Sequence, residues 1–224
     1  MNLSATILPE LVSSAPEILR GLWSTMGLAT AITLIGVVGG ILVFYLTLSP
    51  VPLVRRLVQG YISLLIGTPL LIILFLIYYG LPPLGIRLSP LVVALIGFGF
   101  NVSAYNARFL TTAYNALDPS EREAAAAQGF PPAQVFRLIT LPQTLKLSMP
   151  ALTNQAIQNV KDTSIVFLIQ FTEFFSQMQE VANRTFRFLD SYVATGIAYL
   201  LLISIVSIIA RMIERRLSVP GLEP

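Results

Sequence analysis

The chain has 224 residues, 55% of them hydrophobic and only 11% charged, with a mean hydropathy of +0.77, whereas soluble domains carry roughly 25% charged residues. That balance assigns it to a lipid bilayer, and a net charge of +3 spread over dispersed basic residues argues against a nucleic-acid partner. There is no Cys and no His, which excludes disulfides, thiolate chemistry, imidazole general bases and bis-imidazole haem ligation.

Residues 1–20 form a short polar lead containing Pro9 and Pro16. It lacks the basic segment of a cleaved signal, and Glu10 and Glu17 precede an apolar run too long for one, so that run is expected to remain as a span. The run covers residues 21–48 and ends at Ser49-Pro50-Val51-Pro52; about 20 apolar residues suffice to cross the bilayer core. After Arg55 and Arg56, residues 57–79 form a second run, in which Gly67-Thr68-Pro69 predicts a break. Pro82, Pro83 and Gly85 mark a turn before a third run over residues 90–113. A fourth covers 150–171, interrupted by Lys161-Asp162-Thr163-Ser164, and a fifth covers 192–213. The expectation is an all-α integral membrane protein, a single transmembrane domain over residues 1–224 with five transmembrane helices.

Orientation follows from the distribution of basic residues. If the spans alternate, Arg55, Arg56, Arg122, Arg137, Lys146, Arg211, Arg215 and Arg216 all fall on one side, which is the cytoplasm. The N-terminus is then out and the C-terminus in. Trp23, Tyr78, Tyr79 and Tyr192 read as interfacial belt residues.

The polar segment 118–149, between the third and fourth runs, lies in the cytoplasm on this scheme. Asp118-Pro119-Ser120-Glu121 reads as an N-cap, a proline at the first helical position and a capping-box carboxylate. Gly129 suits the position just beyond the helix, and Pro131-Pro132 prevent its continuation. Ala124, Ala125, Ala126 and Ala127 leave a smooth side that can approach another backbone, while Glu121 and Glu123 sit favourably near the helix N-terminus.

The order Glu123-Ala124-Ala125, three residues, Gly129, nine residues, Ile139-Thr140-Leu141-Pro142 closely resembles the EAA signature of ABC importer permeases. The likeness extends over residues 21–217 and looks like the polar amino acid permease branch (histidine, glutamine and glutamate types). It is carried there by Gly67-Thr68-Pro69-Leu70, Leu74-Phe75-Leu76-Ile77-Tyr78-Tyr79-Gly80-Leu81-Pro82, Leu141-Pro142-Gln143, Lys161-Asp162-Thr163-Ser164 and Glu214-Arg215-Arg216-Leu217. Two positions depart from the branch: Ile66 stands where Arg usually precedes Gly-Thr-Pro, and Arg108 where an acidic residue usually follows Tyr-x-Ala.

The resemblance implies the type I ABC importer permease fold, with the loop as a coupling helix docking in a groove of an ATP-binding subunit. Glu121, Glu123, Ala124, Ala125, Gly129, Phe130, Leu141 and Pro142 are then the coupling residues. It also implies two ATP-binding subunits holding ATP and Mg, a second permease subunit, identical or similar, and an extracytoplasmic substrate-binding protein. The implied setting is the bacterial cytoplasmic (inner) membrane, and the implied substrate a polar amino acid. No Gly-x-x-x-x-Gly-Lys-[Ser/Thr] run occurs in this chain, so it has no nucleotide site or cofactor of its own and the partner subunits hydrolyse ATP.

At about 1.5 Å per helical residue, Thr68, Asn101 and Lys161 each lie about 15 Å into a core about 30 Å thick, near its midplane. Broken helices at that depth line binding cavities in transporters, so Thr68, Pro69 and Asn101 are candidates for a substrate path. Asn154, Gln158 and Asp162 recur at every fourth residue, flanked by Gln155 and Asn159, a stripe that lipid does not face. Lys161, Asp162, Thr163 and Ser164 continue it, and contact with substrate and a polar contact between permease subunits both fit. Lys161 and Asp162, about 100° apart on a helix, face different partners. Arg108 is suited to gripping a carboxylate, yet it lies near the cytoplasmic boundary, where Arg also snorkels. Two rival functions remain open on sequence: an ion-coupled secondary transporter or channel, against which the absence of an inverted repeat weighs, and a membrane scaffold recruiting a soluble partner.

Overall fold

Helix is the only regular structure among residues 7–217, which the computed structural model describes. Residues 1–6 of the polar lead, and the side chains of Arg215 and Arg216 in the C-terminal basic cluster, lie outside the described set. The rest of the lead is helical: α1 is Leu8–Ser13, and α2 runs Ala15–Thr47, so the first long helix starts six residues before the apolar run at 21. The second run is two helices, α3 (Pro52–Gly67) and α4 (Leu70–Gly80). Thr68 and Pro69 between them are extended, and the α3 and α4 segments meet at a 97° bend. α5 is Pro90–Ala116, its first turn capped by the Ser89 hydroxyl accepting from the Val92 N–H. Then follow α6 (Ser120–Ala127), α7 (Pro132–Val135), a π-helical turn (Phe136–Thr140), α8 (Leu141–Asp162), a 3-10 segment (Thr163–Ile169), α9 (Phe174–Thr185) and α10 (Phe188–Leu217).

Among the described residues three helices are long and apolar enough to cross a membrane, α2, α5 and α10, and the bent α3 and α4 pair makes a fourth if it is one broken span. The run 150–171 is not one continuous α-helix. α8 begins earlier, at Leu141, and changes to 3-10 geometry at Thr163. Its Asn, Gln, Lys and Asp residues make it too polar to pass for a span by composition alone.

α2 and α5 pack in parallel: Ile35 meets Gly99, Gly36 meets Val102 and Gly40 meets Asn106. Three glycines make this possible, since a Cβ at Gly36 would strike the Val102 side chain and one at Gly39 would lie 2.9 Å from the Ser103 Cβ. Small residues that let backbones approach are how helices associate in lipid, where hydrophobicity gives no preference for protein over acyl chain. Gly36→Leu is expected to destabilise the fold by about 1–3 kcal/mol, read as a lower Tm of the purified protein in detergent; an unchanged Tm would mean that the two helices are not closely packed here.

α3 lies antiparallel to α5, with Tyr61 beside Phe100 and Ser103 and Leu65 beside Asn101. α8 packs against α5 and α2, and its Asn159 amide donates to the Thr33 hydroxyl of α2 at 3.0 Å. One apolar cluster joins Leu28, Ile32, Leu74, Phe98, Val166 and Ile169; a second, towards the end of α2, joins Phe44, Ile62, Ala107 and Leu110. At the opposite end the fully buried Glu173 caps α9, accepting from the Phe175 and Ser176 N–H groups at 2.8 Å and from the Thr25 hydroxyl at 3.1 Å. The carboxylate thereby ties α9 to α2, and the Tyr199 hydroxyl reaches it from α10 at 3.4 Å.

Candidate functional site

Two sites emerge, one at the helix break and one on the polar cassette. At the break, Pro69 has no N–H to return to the carbonyl of Leu65, four residues earlier. The Asn101 side-chain amide donates to that carbonyl instead, at 3.1 Å. The Leu64 carbonyl, whose helical partner would be the Thr68 N–H, accepts from the Thr68 hydroxyl at 2.7 Å. The break is therefore satisfied without closing the gap it opens.

That gap is a pocket of about 410 Å³ lined by Ile66, Gly67, Thr68, Pro69 and Leu70 of the break, Asn101 and Tyr105 of α5, and Gln155, Gln158 and Asp162 of α8. Its one charged group, Asp162, accepts from the Gln158 amide at 2.7 Å. Thr68 and Pro69 of the break, Asn101 of α5, and Gln158 and Asp162 of the α8 stripe meet here. Others do not. Asn154 is exposed one turn below Gln158, outside the lining, and Asn159 turns to α2. Thr163 is fully buried, its hydroxyl donating to the Val160 carbonyl. Lys161 and Ser164 open into a separate groove against α10, with Tyr192 and Tyr199, so Lys161 and Asp162 do face different surroundings. Arg108 lines a further pocket. Tyr105 also lines the pocket, and the one sequence signal for it is its spacing of four from Asn101, which puts it on the same face.

The cassette begins at Asp118, whose carboxylate accepts the Ser120 N–H at 2.9 Å. That bond, above all, holds the Asp118 carboxyl below the usual carboxylate range. The expected capping box does not form. Pro119 occupies the cap position, and the Glu121 carboxylate accepts from the Gln143 amide of α8 rather than turning back to its own helix. The other end is as the glycine demands: Gly129 has φ +83°, the Phe130 N–H donates to the Ala125 carbonyl at 3.1 Å and the Gly129 N–H to that of Ala126 at 3.0 Å. This pair of bonds is a Schellman motif.

α6 has two faces. Ala125 is buried, at 6% exposure, and Arg122 lies beneath the helix with its guanidinium 4.3 Å from the centre of the Tyr114 ring. Glu121, Ala124, Ala127 and Gln128 are exposed. A cavity of about 560 Å³ separates the cassette from the end of α2, lined in part by Glu123, Arg122, Phe130, Tyr45 and Phe136. Tyr45, Tyr114 and Phe136 of its lining pack edge-on or tilted against one another or against the buried Phe44, with centroids 4.8 to 6.0 Å apart. These aromatics anchor the cassette, and nothing in their sequence spacing singles them out.

Beyond Gly129 there is no loop down to α8. The chain is helical from Pro132 through the π turn to Asp162, about 45 Å at 1.5 Å per residue. The π turn lies where Pro142 follows, accommodating a residue without an N–H. Leu141 and Pro142 are thus the start of α8, the part of this helical run that ends in the polar pocket.

Known proteins share this architecture. The chain is 33% identical over 213 residues to the probable amino-acid permease protein YxeN of Bacillus subtilis, covering 94% of this chain and 95% of that one. It is 29% identical to the arginine transport system permease protein ArtQ of the same organism, over 97% of both chains. A crystal structure of an amino acid ABC transporter with histidines superposes with a TM-score of 0.84 at 29% identity, over 92% of this chain and 97% of that one. Residues 32–219 match the family described as binding-protein-dependent transport system inner membrane component, and the chain belongs to that family of ABC importer permeases.

Proposed function

We propose that this chain is the transmembrane permease subunit of an ATP-driven ABC importer for polar amino acids, multi-pass in the bacterial inner membrane with its N-terminus out, its C-terminus in and its α6 cassette in the cytoplasm. The observation that carries the reading is the helical column from Pro132 to Asp162, which joins an exposed cassette at one end to a polar pocket at a helix break at the other. Asp162 holds the substrate ammonium, while Thr68, Asn101, Tyr105, Gln155 and Gln158 offer hydrogen bonds. Two ATP-binding subunits grip the outer face of α6, and their closure moves the column. A second permease subunit, identical or similar, pairs with this one, and an external binding protein delivers the substrate.

Five crossings are supported by the courses of α3 and α8, which run antiparallel to the parallel pair α2 and α5: in α8 Leu145 and Leu152 pack on the cluster around Phe44 and Asn159 reaches Thr33, so the later residue meets the earlier part of α2. The relatives' names support amino acids as the cargo, and membership of the family favours ATP-driven import over an ion-driven carrier or a scaffold. The test is uptake of a panel of labelled amino acids into proteoliposomes holding the full complex and its binding protein. ATP-dependent accumulation of at least one polar amino acid is expected; accumulation that survives a catalytically dead ATP-binding subunit would establish the ion-driven reading instead.

A further inference from the structure

The crevice between α3 and α5 continues past the polar pocket. On α5, Asn101, Tyr105 and Arg108 follow at intervals of four and three, which keeps them on one narrow face. On α3, Gln59, Ser63 and Ile66 repeat that spacing. Ile66, Asn101 and Tyr105 line the first pocket, whereas Arg108, Gln59 and Ser63 line a second of about 290 Å³ together with Thr47, Ile62 and Thr111. Arg108 stands about 10 Å along α5 from Asn101, too far for one amino acid in the first pocket to reach.

The second pocket is chemically the inverse of the first. Its one charged group is a guanidinium, which has neither an ion pair nor a hydrogen bond among the described residues, and no acidic side chain lines it. The Thr47 and Thr111 hydroxyls donate to the Phe44 and Ala107 carbonyls, which leaves a planar fork of donors beside the Ser63 hydroxyl and the Gln59 amide, a donor set for a carboxylate. The first pocket holds the carboxylate of Asp162 and no cation. We propose that the Arg108 pocket is a second, inner carboxylate site on the translocation path, and that it makes the path favour amino acids with anionic side chains over cationic ones. The proposal rests on the transport reading above. A lipid phosphate has the same oxyanion chemistry, but one face of α5 runs on from the first pocket through Asn101 and Tyr105 to Arg108, so the ligand assigned is the substrate.

The test is equilibrium binding of labelled L-glutamate, L-glutamine and L-arginine to the nucleotide-free complex of permease and ATP-binding subunits in phosphatidylcholine nanodiscs. Wild type is expected to bind L-glutamate at least about tenfold more tightly than L-arginine, since like charges brought together cost several kcal/mol. Arg108→Gln brings the two within about twofold and Arg108→Glu inverts their order, as the charge term vanishes and then reverses. Arg108→Lys keeps the direction at a smaller ratio, because it keeps the charge and loses the fork; it and the Gln variant decide the matter if the Glu variant fails to assemble. Arg87→Gln, an exposed position in the turn before α5, leaves the ratio alone. An unchanged ratio in Arg108→Gln overturns the proposal, and so does a wild-type preference that disappears when phosphatidylglycerol is added, which would mark a lipid site. Normal L-glutamine binding beside an unchanged ratio removes this proposal alone; a wild type that binds none of the three removes the transport reading with it.

Discussion

Replacing Gly129 with proline is expected to abolish substrate-stimulated ATP hydrolysis and uptake while leaving the permease in the membrane. Proline fixes φ near −65°, and Gly129 sits at +83°. The variant also loses the Gly129 N–H that donates to the Ala126 carbonyl. Without that turn the exposed face of α6 no longer presents Glu121, Ala124 and Gln128 in one register to a partner. Gly129→Ala is the graded case: left-handed backbone costs an L-residue about 1–2 kcal/mol, so stimulation is expected to fall without disappearing. A companion substitution separates docking from folding. A charge at Ala125, buried at 6% exposure, would collapse the cassette itself because an unpaired buried charge is costly. Ala124→Asp places the charge on the exposed face instead, and is expected to weaken co-purification of the ATP-binding subunits with a folded permease. Wild-type stimulation in Gly129→Pro complexes would sink the coupling role of α6.

Asp162→Asn is expected to lower uptake at least about thirtyfold, because removing one member of a desolvated charge pair costs about 2 kcal/mol or more and every 1.4 kcal/mol is tenfold. The amide keeps the size of the side chain and can still bond to Gln158, so the pocket wall stays in place while its one charge is lost. The measurement is initial uptake by proteoliposomes, with permease pairing followed separately by size-exclusion chromatography. Reduced uptake with intact pairing supports an ammonium site in the pocket. Wild-type uptake with disrupted pairing would reassign Asp162 to the contact between permease subunits.

Sequence by itself determined the membrane class, the helix break, the cassette and its left-handed glycine, because each rests on a local rule. Hydropathy is a sum over neighbours, Pro69 removes a hydrogen-bond donor wherever it stands, and Gly129 follows an alanine helix and precedes two prolines. That Thr68 and Asn101 share a level was legible too, since position along a helix is a count of residues, and both line one pocket. Direction around the helix was only half legible. Spacing joined Asn154 to Gln158 and Asp162, yet Asn154 lies outside the pocket and Asn159, beside the stripe, bonds to Thr33. Tertiary structure alone decided the rest. Glu121 looked like its own helix's cap, but the Gln143 amide, 22 residues on, competes for its carboxylate. The alanines looked uniform, and only packing against the rest of the chain buried Ala125 and exposed Ala124. The polar loop became the lower half of a column because helix continues wherever a π turn can absorb a missing N–H, and that column joins two sites that are far apart in sequence.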